Sequence, residues 1–94
     1  MSVDTRWDKA VRAAIEALAP RRGGWVGLVD LRPALAGTSR AAQDRHLVRM
    51  LRERKIHLVP ESNRKALTPA ARAAAIRIGN EDNHLITWNH HNHT

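Results

Sequence analysis

The chain has 94 residues, of which 16 are Lys or Arg and 9 are Asp or Glu, for a formal charge of +7. It has no Cys, Phe or Tyr, which excludes disulfides, thiolate metal sites and cysteine nucleophiles, and leaves Leu, Ile, Val, Met and three Trp to fill one modest core. No stretch approaches membrane-spanning length and the first residues lack a signal peptide's apolar run, so a cytoplasmic protein is expected.

In chain order, Trp7, Val11, Ala14, Ile15 and Leu18 recur at the spacing of one helical face and predict a first helix over 4–18. Asp4 or Thr5 is placed to cap it, and the Pro20-Arg21-Arg22-Gly23-Gly24 run ends it in a turn. Trp25-Val26-Gly27 is long enough only for a stub of strand. A short helix follows over 28–35, in which Asp30 as a near-cap would put Pro33 in the first turn, where a missing N–H costs nothing. Gly37-Thr38-Ser39 is a turn with a capping hydroxyl for the next helix.

That third helix, 39–54, is two-sided. At 100° per residue Gln43, Leu47, Met50 and Leu51 gather on one side, and Ala41, Ala42, Arg45, Arg49 and Arg52 lie opposite. Residues 56–60 read as a strand stopped by Pro60, and Glu61 to Lys65 as a polar turn. Thr68-Pro69 is a strong helix start, predicting a helix through Ile78 with Gly79 as its end. Residues 84–88 form a last strand, and 89–94 are a polar, disordered tail. The domain is thus expected over 1–88.

The charge is concentrated. Residues 39–78 carry ten basic and three acidic side chains, so the positive excess of the whole chain sits there. An anionic partner is the physical implication. Against it stands the plainer account that an arginine face is the solvated side of an amphipathic helix. His90, His91 and His93 crowd the tail without a carboxylate or thiol beside them, so no metal site is expected. His46 and His57 stand alone, and no phosphate loop, nucleophile elbow or rigid carboxylate pair occurs. Neither catalysis nor a cofactor is expected. Trp7 and Trp25 are placed in the core, and Trp88 in the core or at a dimer contact.

The order helix, strand stub, short helix, turn, basic helix, strand, excursion, strand resembles a winged helix-turn-helix domain. The segments 25–35, Gly37-Thr38-Ser39, Leu47 to Leu51 and 56–59 carry the resemblance. It implies an α+β fold: a three-helix core with a two-stranded wing sheet, here with an extra helix between the wing strands. It further implies that the third helix enters the major groove of double-stranded DNA. The residues it assigns to DNA are Ser39 and Arg40 at the helix start, Ala41, Arg45, Arg49 and Arg52 along it, and Arg64 and Lys65 between the strands. A small transcriptional regulator or architectural factor, acting as a homodimer because one such module covers a half-site, is the expectation. The alternative is a winged-helix adaptor that binds a protein, with the Ala-rich stretch 70–75 as a close-packing surface.

Overall fold

A computed structural model describes residues 1–91. The elements are α1 (Val3–Leu18), β1 (Val26–Gly27), α2 (Leu28–Ala34), α3 (Arg40–Arg52), β2 (Ile56–Val59), α4 (Pro69–Ala74), β3 (Ile76–Ile78), β4 (Glu81–Asn83) and β5 (Leu85–Trp88), with one 3₁₀ turn at Arg64–Ala66. Among the described residues no helix is long and apolar enough to cross a membrane.

The strands β1, β5 and β2 form one antiparallel sheet with β5 in the middle. Its register pairs Ile56 with Trp88, Leu58 with Ile86 and Val26 with Ile86. Because side chains alternate along a strand, Val26, Ile56 and Ile86 enter the same core, where each is at most 4% exposed. The helices complete that core with Val11 and Ile15 from α1, Leu28 and Leu31 from α2, and Leu47 and Met50 from α3. This is a winged-helix-like α+β arrangement of three helices against a small antiparallel sheet, with α4 between β2 and β5.

A polar network fixes the α2–turn–α3 corner. Buried Gln43 donates from Nε2 to Thr38 Oγ1 at 2.9 Å and to the Arg32 carbonyl at 3.3 Å. In return Arg32 donates to Gln43 Oε1 at 3.0 Å and to the Ala74 carbonyl at 2.7 Å, and lies 2.9 Å from Asp44 Oδ1. One guanidinium therefore ties α2, α3 and the end of α4 together, satisfying groups that would be costly to bury alone.

Four local expectations are corrected. Ser2, not Asp4 or Thr5, caps α1, its hydroxyl accepting the Thr5 N–H. The second helix starts at Leu28 with Gly27 as its cap, so Pro33 falls past the first turn, inside the helix. The fourth helix stops at Ala74 rather than Ile78: Ala75 leaves it in an extended conformation, and Ile76–Ile78 pairs with Glu81–Asn83 as a hairpin. Gly79, at φ +63°, opens the two-residue turn of that hairpin. Finally, Trp25 is 43% exposed rather than in the core, whereas Trp7 and Trp88 are half-buried and packed against the core.

The tail expectation meets the described residues only in part. Asn89 is anchored, its backbone N–H donating to the Lys55 carbonyl at 2.9 Å and its side chain to the Arg54 carbonyl at 2.8 Å. Residues 92–94, His93 included, lie outside the described part.

Candidate nucleic-acid interface

Helix α3 is started by Ser39, whose hydroxyl accepts the Ala42 N–H at 3.1 Å. The hydroxyl expected to meet a phosphate is therefore already an acceptor within its own helix. Arg40, beside it, donates to the Ala75 carbonyl at 2.8 Å and lies 3.7 Å from Asp44. The start of α3 is thus bound to the segment that follows α4.

The helix ends in a Schellman arrangement. The Arg54 N–H donates to the Leu51 carbonyl and the Lys55 N–H to the Met50 carbonyl, with Arg54 itself at φ +62°. This turn sends the chain directly into β2, so the orientation of α3 relative to the sheet is set at its last turn.

Between these ends the three arginines assigned to one stripe separate. Arg45 and Arg52 are exposed, and neither side chain makes a hydrogen bond or ion pair among the described residues. With Ala41 and half-buried Val48 they occupy positions i, i+4, i+7 and i+11 of α3, a nearly straight line along the helix. Arg49 instead turns to α1. Its guanidinium reaches Asp8 Oδ1 at 2.8 Å, Asp4 Oδ1 at 3.6 Å and Glu53 Oε1 at 2.8 Å, and lies 3.2 Å from His46 Nδ1. The side chain is only 20% exposed.

Lys55 closes the same cluster, with Nζ at 2.5 Å from Asp8 Oδ2 and 3.0 Å from Glu53 Oε1. Burial works against the charge on Asp8, yet the hydrogen bonds from Lys55 and Arg49 outweigh it and hold its carboxyl below the usual carboxylate range. The same bonds to Asp8 and Glu53 raise Lys55. His46, buried and stacked on Trp7 at 4.3 Å between ring centroids, is pushed down by burial and then by the charge of Arg49. It is a packing residue of the α1–α3 seam.

Arg64 and Lys65 lie exposed on the 3₁₀ turn. Arg72 of α4 donates to the Arg64 carbonyl at 3.1 Å, and the end of α4 holds Arg40. Hydrogen bonds therefore link the turn carrying Arg64 and Lys65, through α4, to the first turn of α3. The open basic side chains of the assigned set are Arg45, Arg52, Arg64 and Lys65, with Arg40 half-engaged.

Sequence reasoning missed the acidic anchor, Asp8, which decides the fate of Arg49. No spacing rule reveals a partner 41 residues away. It also missed Arg32 as the hub of the α2–turn–α3 corner, and the β3–β4 hairpin. The hairpin did leave a signal: Ile76 and Ile78 alternate around Arg77, directly before the turn-forming pair Gly79-Asn80. Of the histidines, His84 is buried and accepts the Glu61 N–H at 3.0 Å, while His57 is exposed. Comparison of this chain with known protein families, characterised proteins and solved structures found no match.

Proposed function

We propose that this protein belongs with the winged helix-turn-helix proteins and binds double-stranded DNA, laying the outer line of α3 in the major groove. The observation that carries the reading is the contrast within the basic segment. Arg32, Arg40, Arg49 and Lys55 are engaged with the protein's own acceptors, while Arg45 and Arg52 stand exposed and unpaired, seven positions apart on the solvent face of α3. An unpaired guanidinium suits a guanine edge or a phosphate. The small Ala41 and the apolar Val48 leave room for close approach and for contact with a thymine methyl. Arg64 and Lys65 supply phosphate contacts that set the register. The role is that of a small regulator or architectural factor, working as a pair of copies on two half-sites.

The test is fluorescence anisotropy with a labelled duplex at about 50 and about 200 mM salt. With roughly four phosphates neutralised, log affinity falls against log salt with a slope of about −3 to −4. Replacing Arg45 and Arg52 together by Ala weakens binding by about tenfold or more. A parent protein without DNA affinity at low salt overturns the reading. It would leave the adaptor role, which the exposed ring of Trp25 favours. Of the Ala-rich stretch, Ala74 is buried where α4 packs on α2 of its own chain, while Ala70 and Ala73 stay exposed.

A further inference from the structure

A second basic feature lies away from α3, where the C-terminal half of α1 meets the loop before β1 and the end of β5. Arg12, Ile15, Glu16 and Ala19 form one wall of a cleft of about 540 Å³, and Arg21, Arg22, Gly23 and Gly24 form the other, with Thr87 and His90 completing it. An adjoining groove of about 380 Å³ shares Arg22, Gly23, Thr87 and His90, and adds His57 and Trp88. Such volumes match small-molecule sites, which run from roughly 300 to 1,000 Å³.

Three features of this cleft point to a ligand. First, the loop is held in shape. The Gly24 N–H donates to the Arg21 carbonyl at 2.9 Å, and buried Thr87 donates its hydroxyl to the Gly24 carbonyl at 2.9 Å. A Cβ on Gly24 would come within 2.9 Å of that Arg21 carbonyl, so the tight turn needs glycine there. Second, the charges facing the cleft are unbalanced. Glu16, its one carboxylate among the described residues, is already held by Arg12 at 2.7 Å. Arg21 and Arg22 have no hydrogen bond or ion pair from their side chains among the described residues. Third, the adjoining groove is lined by flat rings, those of His57, His90, His91 and Trp88, the last with the Arg12 guanidinium 5.2 Å from its ring centre. The turn carrying His90 is anchored through Asn89 to the carbonyls of Arg54 and Lys55.

We propose that this cleft is a binding site for a nucleoside phosphate. Arg21 and Arg22 hold the phosphate groups, through the planar donor forks that suit phosphate oxygens. The base lies in the adjoining groove against the flat side chains, which favour a planar ring without demanding one sequence of donors. None of the residues lining the cleft belongs to α3. The concave shape selects a free nucleotide over the broad backbone of a duplex.

Isothermal titration calorimetry with ADP, adenosine and pyrophosphate tests this. ADP is expected to bind at least about tenfold more tightly than adenosine, as removal of charge-assisted contacts implies, and more tightly than pyrophosphate. The double substitution Arg21→Ala and Arg22→Ala is expected to weaken ADP by about tenfold or more. A thermal melt is the check on its fold, and both side chains are exposed. Arg45→Ala with Arg52→Ala is expected to leave ADP affinity unchanged, which separates this site from the DNA surface. Absence of ADP binding, equal affinity for ADP and adenosine or for ADP and pyrophosphate, or indifference to loss of Arg21 and Arg22 would each overturn the proposal.

Discussion

Asp8 is the residue on which the α1–α3 seam turns. It accepts from Arg49 and Lys55 at once, and its side chain is only 17% exposed, so the pair of bonds is poorly screened. Replacing it by Asn removes the charge that two cations face, and is expected to lower stability by about 2 kcal/mol in urea or thermal unfolding. Arg45→Ala and Arg52→Ala, by contrast, remove unpaired exposed groups and are expected to stay within about 0.5 kcal/mol of the parent. A large loss at Arg45 would show a structural role that the outer face of α3 does not suggest. The acid and base limits follow from the same cluster. His46 titrates below its ordinary 6.5 in the folded chain and Asp8 below its ordinary 3.8. In both cases the unfolded chain takes up the proton more readily, so stability is lost as pH falls, first below 6.5 and again below 3.8. Lys55 is raised above 10.5, so its contribution is present below that value and lost as pH rises through the raised one. The melting temperature is therefore expected to be level between about pH 7 and about pH 10 and to fall on either side. A melting temperature that rises between pH 7 and 5 would contradict the placement of His46.

At the scale of elements, the ends of α3 carry the clearest consequences. Ser39→Ala leaves the Ala42 N–H without its acceptor, and is expected to cost about 1 kcal/mol. On the proposed DNA-binding reading, its effect on affinity is expected to be slight once folding is accounted for, because the hydroxyl serves the helix. Arg54 sits at φ +62° at the position where helices favour glycine. Arg54→Gly is expected to relieve that conformation and to match or exceed the parent in stability, by up to about 1 kcal/mol. A clear destabilisation would mean that the Arg54 side chain holds the last turn. The elements themselves were largely readable. The apolar period located α1, α3 and β5 to within a residue or two at each end, and even the two-residue β1 showed in Trp25-Val26-Gly27. The miss at 75–83 has a local cause. Alanines propagate a helix on propensity alone, and nothing in Ala73-Ala74-Ala75 marks where it stops. The stop comes where Ile76, 3% exposed, is needed in the core and Asn83 can pair across from it.

For the whole molecule, the connection between β2 and β5 matters most. Instead of a plain hairpin, residues 60–84 fold back as a 3₁₀ turn, α4 and the β3–β4 hairpin. Arg32 and Arg40 fasten this segment to α2 and to the start of α3. The outer line Ala41, Arg45, Val48, Arg52 stays uncovered by it, and the cleft at Arg21 and Arg22 lies elsewhere on the chain. Cations engaged internally, such as Arg49, thus stand apart from two open groups, one on α3 and its neighbouring turn, the other beside the end of α1. Taken alone, the sequence determined the α+β order, the apolar face of α3, the hydroxyl caps of α3 and α4 and the location of the charge excess. Each of these depends on residues near one another in the chain. Only the tertiary structure decided which arginines are open. A helical wheel places Arg49 about 40° from Arg45, and whether that angle faces water or carboxylates depends on what crosses the helix there. Here α1 crosses it and brings Asp4 and Asp8. The partner of a charge is set by packing between distant segments, whereas its helical face is set by the chain itself.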